Sequence, residues 1–342
     1  MTSYFIRRFL LIIPTFFGIT LITFLILQIV PGGPLEMEIM KIRMGGNKAG
    51  ESGSISGSSQ NIPQSALDEL KRFYGFDKPI QERYILWITN LFKLDLGRSY
   101  VYGEPVLDVI ISRFPVSIYF GLVGFVLTYI VCVPLGVYKA VKNGSTFDFI
   151  SSSLVFIGYA VPAFAFGAVM LVLFGGGSFW DIFPLGGFRS SGWEDFSLFH
   201  KITDQLYHTI LPVSAYMIGS FATLTILTKN TVIDNLSQDY IRTAFSKGIS
   251  ERKVIFGHAL RNSLIPISTG LGNAISLVLA GSVLIERVFN INGMGLLGYT
   301  SIVQRDYPVV MGILVITTLL LLLGNILSDM IYAVVDPRIR FK

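Results

Sequence analysis

Six long apolar stretches, separated by shorter polar segments, dominate the pattern of the chain. Each has about 20 residues or more, the length that an α-helix needs to cross the hydrocarbon core of a bilayer. In chain order they are Phe9–Val30, Pro115–Tyr138, Ile150–Phe174, Thr209–Thr228, Leu264–Ile285 and Pro308–Val335. The pattern therefore predicts an all-α integral membrane protein with six transmembrane helices.

The composition supports this fold class. Of the 342 residues, 52% are hydrophobic and 14% are charged, whereas soluble domains carry about 25% charged residues. The net charge of +5 is modest, so it gives no indication of nucleic-acid binding. The single cysteine, Cys132, lies in the second apolar stretch and excludes an internal disulfide.

Lysine and arginine residues cluster at alternate ends of the apolar stretches. Those before the first stretch and after the second, fourth and sixth are Arg7, Arg8, Lys139, Lys142, Lys229, Arg242, Lys247, Arg252, Lys253, Arg261, Arg338, Arg340 and Lys342. Because basic short loops remain in the cytoplasm, both termini are predicted to be cytoplasmic. The first stretch is too long for a signal peptide and is interpreted as a retained helix.

The segment 31–114 is the longest one outside the predicted spans, and the orientation places it on the extracytoplasmic side. Its Gly/Ser-rich part, 45–61, is predicted to be mobile. Helices are predicted at Pro63–Tyr74, ended by Gly75, and at Ile80–Leu94. The aromatic face of the second is interpreted as a surface that packs against the membrane or the spans, and the alternative is a ligand site. A short helix is predicted at Gly103–Phe114.

The predicted organisation has four parts. They are an N-terminus with the first span (1–30), the extracytoplasmic segment (31–114), a five-helix core (115–335) with a cytoplasmic loop at 229–263, and a cytoplasmic tail (336–342).

The polar and basic island Asp239–Pro266 is the most informative part of the chain. It reads as two short helices that are separated by Gly248, a residue suited to a left-handed helix stop. Ser237 or Asp239 is predicted to cap the first helix, which runs to about Lys247, and Ser250 is predicted to cap the second. A helical loop of this length indicates a surface for a cytoplasmic partner, and the alternative is a solvated basic loop.

Motifs for catalysis or metal binding do not stand out. The sequence has no G-x-x-x-x-G-K-[ST] phosphate loop, so the chain is not expected to hydrolyse ATP. Its three histidines lack metal-binding spacing. Asp329 lies inside the sixth span and is interpreted as an interfacial carboxylate bonded to a neighbouring helix, rather than as an ion-coupling group at mid-depth.

Two apolar stretches carry further candidate residues. In the fifth, Ser268, Gly272, Ser276 and Ala280 recur every four residues beside Asn273, which predicts close packing of this face either within the subunit or against a partner or a pathway. In the third, Pro162 follows Tyr159 and can kink the helix. Such a kink suits gating, although many are only structural.

The island resembles the EAA loop of binding-protein-dependent ABC import permeases in its peptide-importer form. The matching pattern is Tyr240, Arg242, Thr243, Ala244, Lys247, Gly248, Ser250, His258, Asn262 and Pro266. Thr243 and Ala244 stand where the wider family has Glu-Ala-Ala. The resemblance extends to further segments and is greatest for the microcin C and oligopeptide branch. These segments are Tyr74–Pro79, Arg83-Tyr84, Asp95–Ser99, Gly281-Ser282 with Glu286 and Phe289, Gly293-x-Gly295 and Arg305–Pro308.

The resemblance implies an ABC type I importer permease fold in the bacterial inner membrane. It implies a second homologous permease, two ATP-binding subunits that bind ATP and Mg, an extracytoplasmic substrate-binding protein, and no cofactor on this chain. In the family the loop docks on the ATPase, which here corresponds to Asp239, Tyr240, Arg242, Thr243, Ala244, Lys247, Gly248 and Ser250. The expected activity is peptide import. The alternatives are an ion-coupled secondary carrier and a membrane scaffold or enzyme subunit.

Overall fold

All regular secondary structure is helical in the part of the chain that the structure, a computed structural model, describes. This part comprises residues 2–45, 64–73, 75–177, 179–268 and 281–335. The helices are α1 (Thr2–Ile29), α2 (Pro34–Gly45), α3 (Gln64–Phe73), α4 (Ile80–Leu91), α5 (Val106–Val141), α6 (Thr146–Ala160), α7 (Ala163–Phe174), α8 (Leu198–Leu236), α9 (Asp239–Ser246), α10 (Glu251–Val254), α11 (Val283–Val288), α12 (Met294–Val303) and α13 (Tyr307–Val335). A π-helical turn, Ile255–Ala259, continues α10, and helix follows at 260–268.

Four of these helices are long and apolar enough to cross a membrane, namely α1, α5, α8 and α13. The pair α6 and α7 adds a fifth if it forms one bent span. Most of the fifth predicted span falls on residues 269–280, which lie outside the described residues. The Gly/Ser-rich stretch from residue 46 onward and the predicted tail 336–342 also lie outside them.

The third predicted span is broken rather than continuous. Val161 has extended backbone angles, and α6 and α7 meet at 99° on either side of Val161 and Pro162. Proline disfavours helical geometry in the residue before it and lacks the N–H that a helix needs, so both residues leave the helix. Pro134 and Pro212, by contrast, lie inside the continuous helices α5 and α8.

Two predicted segments are parts of longer helices. The short helix expected at Gly103–Phe114 does not stand alone, because α5 begins at Val106 and runs through the second span. The fourth span extends to Leu198 at its start and to Leu236 at its end. Ser197 caps this longer helix by accepting a hydrogen bond from the His200 N–H at 3.4 Å.

The chain divides into two compact units. One consists of Met1–Phe9, Arg113–Leu297 and Thr317–Lys342, and the other of Leu10–Ser112 and Gly298–Ile316. A main core of the first unit joins α5, α8 and α11 through Phe120, Leu211 and Ile285, which are buried. In the second unit, Leu96, Val106 and Val309 are buried. Each unit therefore has an interior of its own.

Candidate functional site

The basic island folds as a short helix, a tight turn and a second helix directly after α8. Ser237 ends α8, and its hydroxyl donates to the Asp234 carbonyl at 2.7 Å. Gln238 occupies the N-cap position of α9. The predicted cap at Ser237 or Asp239 is therefore wrong, because Ser237 closes the preceding helix and Asp239 already lies in the first turn of α9.

The turn after α9 has the geometry that the sequence predicts. Gly248 has a positive φ of 73°, and its N–H donates to the Phe245 carbonyl at 2.9 Å. The Ile249 N–H donates to the Ala244 carbonyl at 3.3 Å. These two bonds form a Schellman motif, which reverses the chain within a few residues. Ser250 then takes the predicted N-cap position of α10.

A small apolar core holds the two helices together. Ile241 and Ala244 from α9 are buried against Val254 and Ala259, and Leu236 and Ile249 pack around them. Ala244 is only 6% exposed. It therefore supports the surface of α9 from inside, and a side chain larger than a methyl group would have to displace its neighbours.

The outer face of α9 is basic and aromatic. Its exposed residues are Asp239, Tyr240, Arg242, Thr243, Phe245 and Lys247. The Tyr240 hydroxyl donates to Asn235 Oδ1 at 2.7 Å, which fixes the ring, while Phe245 is 46% exposed. Sequence reasoning missed Phe245. Helical spacing alone would not have found it, because Phe245 lies four residues after the buried Ile241 and is expected on the same side of the helix.

The second helix of the island is also tied to α8. The Asn235 amide donates to Ser263 Oγ at 3.1 Å, and the Ser263 hydroxyl donates to the Thr231 carbonyl at 3.1 Å. Ile255 packs with Val137 and Val232. The island is thus a module that is anchored to α8 and α5 through buried contacts.

A buried charge cluster fixes α8 before it reaches the island. Lys229 Nζ donates to both carboxylate oxygens of Asp148, at 2.8 and 2.7 Å. Lys139 Nζ is fully buried and donates to the hydroxyls of Ser151 and Ser152 at 2.7 and 2.8 Å, with Asp148 Oδ1 at 3.3 Å. The cluster joins α5, α6 and α8. Lys139, which the charge pattern treats only as a cytoplasmic flanking residue, has a structural role.

The residues predicted to line a pathway or an interface between permeases are described only in part. Tyr159 and Pro162 lie at the break between α6 and α7, and both are exposed. Ser268 is buried, and its hydroxyl donates to the Ile265 carbonyl at 2.8 Å. The remaining members of that helix face, Gly272, Asn273, Ser276 and Ala280, lie outside the described residues.

Asp329 forms an ion pair with Arg8. The two residues belong to the same compact unit, on α13 and α1. The neighbouring-helix partner expected for Asp329 is therefore Arg8 on α1. Across the described residues, no group of three or more His, Cys, Asp or Glu side chains could hold a metal ion.

The buried carboxylate of Glu286 accounts for the first glycine of the Gly293-x-Gly295 motif. This carboxylate is 1% exposed and accepts hydrogen bonds from the N–H groups of Leu296 at 2.7 Å and Ser282 at 3.2 Å, and from the Ser117 hydroxyl at 3.3 Å. A Cβ atom on Gly293 would lie 2.5 Å from Glu286 Oε1. The glycine is therefore required for the backbone to approach this carboxylate.

Together, the long apolar helices and the exposed basic module define a multi-pass membrane protein with a surface suited to a partner protein. A family model described as "Binding-protein-dependent transport system inner membrane component" matches residues 132–341. The chain belongs to this family.

Similar proteins match along the whole chain. The chain is 42% identical to the peptidoglycan transport system permease protein YejB of Agrobacterium fabrum, with 100% of this chain and 99% of the relative covered. It is 43% identical to the inner membrane ABC transporter permease protein YejB of Escherichia coli O157:H7 and 35% identical to the oligopeptide transport system permease protein AppB of Bacillus subtilis. Both alignments cover 100% of each chain.

Membership of the family fixes the general role of the chain. It is an inner-membrane permease component of an ABC import system, and it works with ABC partners and a substrate-binding protein. ATP hydrolysis belongs to the ATPase partners, and this chain is a non-catalytic subunit. The alternative of an ion-coupled carrier is not supported.

Proposed function

We propose that the chain is one of two similar permease subunits in an ATP-driven importer of peptides or peptide-like compounds, and that it forms half of the translocation pathway. Two ATP-binding subunits and an extracytoplasmic binding protein complete the assembly. The names of the relatives, which refer to peptidoglycan and oligopeptide transport, support cargo of this class. ATP and Mg bind to the partner subunits, and this chain binds no cofactor.

The proposed topology has six spans and two cytoplasmic termini. The fifth span covers Leu264–Ile285, and the segment 31–114 faces the extracytoplasmic side. The distribution of lysine and arginine supports this orientation. In the proposed orientation the loop 229–263, which includes α9, lies on the side of the membrane where ATP is available.

In this proposal α9 is the helix that docks on an ATP-binding subunit. Tyr240 and Phe245 supply aromatic contact area, and Arg242 and Lys247 supply positive charge beside Asp239 and Thr243. Ala244, Gly248 and Ser250 shape the module that presents them. The observation that carries the proposal is the exposure of this aromatic and basic face above a closed apolar core. Exposed aromatic and arginine side chains are the types that contribute most to protein interfaces.

The same arrangement gives a route for motion to reach the spans. Only Ser237 and Gln238 separate α9 from α8, so a displacement of α9 acts directly on α8. The hydrogen bond between Lys229 and Asp148 would transmit this displacement from α8 to the start of α6. The helix α6 ends at the break beside Tyr159 and Pro162, which suits a helix that changes angle between outward-facing and inward-facing states.

We place the pathway or the interface between the permeases at two groups of residues. They are Tyr159 and Pro162 at the break, and the small-residue face formed by Ser268, Gly272, Asn273, Ser276 and Ala280. The spacing of the second group supports close helix approach.

The docking role can be tested with the purified four-subunit transporter and its binding protein in proteoliposomes. We expect Phe245→Ala to lower peptide uptake and peptide-stimulated ATPase activity at least about tenfold, since a central aromatic at an interface contributes about 2 kcal/mol or more. Phe92→Ala is the matched control, because Phe92 is 76% exposed on the segment 31–114. Equal activity of the two variants would contradict the docking role.

A further inference from the structure

Several sequence motifs with no role in coupling meet at one cavity. In the unit made of Leu10–Ser112 and Gly298–Ile316, a cavity of about 560 Å³ is lined by residues from Gly75–Lys78, Arg83, Asp95–Ser99 and the pair Tyr307-Pro308. These segments carry part of the family resemblance. Their convergence makes this cavity a candidate binding site.

The cavity lining has an excess of positive charge. Arg72, Lys78, Arg83 and Arg98 face two acids, Asp77 and Asp95, so the formal charge is 4 − 2 = +2. Lys78 also has a partner outside the lining, Glu82, at 3.6 Å. An anionic group would therefore be attracted to this cavity rather than a cation.

Arg83 has a donor that is not satisfied. Its Nη2 group donates to Gln28 Oε1, and its guanidinium carbon lies 4.7 Å from the ring centre of Phe76. The Nε atom is buried and has no hydrogen-bond partner among the described residues. A buried N–H without an acceptor is unfavourable, and an anionic ligand in the cavity would supply one.

The wall that carries Arg98 is fixed in place before any ligand binds. Asp306 is fully buried, and its carboxylate accepts hydrogen bonds from the Ser99 hydroxyl at 2.5 Å and from the Tyr100 N–H at 3.1 Å. The Ser99 hydroxyl oxygen in turn accepts from the Tyr102 N–H at 2.8 Å. The turn that bears Arg98 is thus held to the start of α13.

The cavity lies where two apolar helices end. Leu27 and Gln28 come from the last turn of α1, and Tyr307 is the first residue of α13. Since both helices are long and apolar enough to cross a membrane, we expect these ends to lie near the lipid headgroups. Trp87, in the lining, is of the type that favours this level. Apolar side chains in the preceding turns of α1 are exposed and could contact acyl chains: Ile22, Leu25, Ile26 and Ile29.

We propose that this cavity binds the phosphate group of an anionic phospholipid, with Arg83 and Arg98 as the anion ligands and the acyl chains along α1. Arginine matches phosphate oxygens with two parallel hydrogen bonds, which suits it to this role. The site is separate from α9, so the proposal does not depend on the docking role.

The test is native mass spectrometry of the intact, delipidated transporter titrated with phosphatidylglycerol or with phosphatidylcholine of the same acyl chains. Both lipids carry a phosphate, but the quaternary ammonium of phosphatidylcholine offsets its charge and is repelled by the positively charged lining. We therefore expect wild type to retain phosphatidylglycerol about tenfold better, which corresponds to about 1.4 kcal/mol. Arg83→Gln and Arg98→Gln should each remove this preference. Lys93→Gln is the control, since Lys93 is exposed in the same segment and does not line the cavity.

Arg98 is exposed, so Arg98→Gln tests the site even if Arg83→Gln does not fold. Equal retention of the two lipids by wild type, or unchanged preference in Arg98→Gln, would overturn the proposal. Displacement of phosphatidylglycerol by inorganic phosphate at equal concentration would assign the site to free phosphate instead. Displacement by a dipeptide would assign it to a carboxylate ligand, and the lipid proposal would be wrong.

Discussion

Two clusters of charged residues, one around Asp148 and one on α9, differ in burial and in consequence. Around Asp148, the side chains of Lys139, Asp148 and Lys229 are 0%, 8% and 17% exposed, and the shortest ion-pair distance is 2.7 Å. On α9, Arg242 and Asp239 are 76% and 96% exposed, and they lie 3.5 Å apart. The buried cluster uses its charges to hold helices together. The exposed pair keeps its charges accessible to a partner.

The difference teaches that charge in the sequence does not by itself indicate a docking surface. Buried charges are tolerated only when they are paired and hydrogen-bonded, and Lys139 meets this condition through Ser151 and Ser152. Exposed pairs contribute about 0–1 kcal/mol to stability. Substitutions should therefore separate the two regions, with large effects on folding in one and large effects on partner contact in the other.

The largest effect is expected for Asp148→Asn. Removing this carboxylate leaves Lys139 and Lys229 without their counter-charge, which costs about 3–5 kcal/mol for a broken buried pair. Thermal unfolding in detergent, followed by circular dichroism, measures the loss. Asp239→Asn is the control and should change stability by no more than about 1 kcal/mol. If both variants unfolded at the same temperature, the claim that the buried cluster contributes more to stability than the exposed pair would be wrong.

A smaller effect is expected from added methyl groups in the two regions. Gly293→Ala places a Cβ atom 2.5 Å from Glu286 Oε1 and 2.7 Å from Ser117 Oγ, and overpacking of this kind costs about 1–3 kcal/mol. Gly257→Ala, in the π-helical turn of the island, meets no atom within 4 Å and should be close to neutral. Comparable losses in both variants, seen by the same unfolding measurement, would show that the island is as tightly packed as the Glu286 cluster.

A loss of stability smaller than that of Gly293→Ala is expected at Gly248. A Cβ atom there meets no atom within 4 Å, so only the positive φ of 73° opposes a substitution. Gly248→Ala should cost about 1–2 kcal/mol, because a Cβ atom is sterically strained in the left-handed conformation, and Gly248→Asn should cost less, because asparagine tolerates this conformation better. The measurement is the free energy of unfolding of each variant, which should be lower for Gly248→Ala than for Gly248→Asn. Identical values would mean that backbone strain does not limit this turn.

Much of the helical pattern was predictable because it depends on local sequence. The apolar stretches define α1, α5, α8 and α13, and Gly248 ends α9 in the left-handed conformation that a glycine permits without steric strain. Residue spacing also indicated the two short helices of the island. These features depend on residues that are close together in the sequence, so they can be predicted without knowledge of tertiary contacts.

Other features depend on contacts that the sequence does not reveal. The 99° break at Val161 was expected only as a kink, because the pattern shows the proline but not the angle. Asp148 was missed, since its role arises from Lys229, which is 81 residues away in the chain. Ala244 could not be assigned to the inner face of the island until the second helix was seen packed against it.

The most direct test of the docking role is site-specific crosslinking in the assembled transporter. Cys132 is the single native cysteine and is buried, so a photoreactive thiol reagent can be directed to Thr243→Cys, with Glu194→Cys as an exposed control in the segment before α8. We predict that Thr243→Cys captures an ATP-binding subunit, with a yield that changes when ATP is added, and that Glu194→Cys does not. Failure of Thr243→Cys to capture that subunit, or equal capture from both positions, would contradict the account.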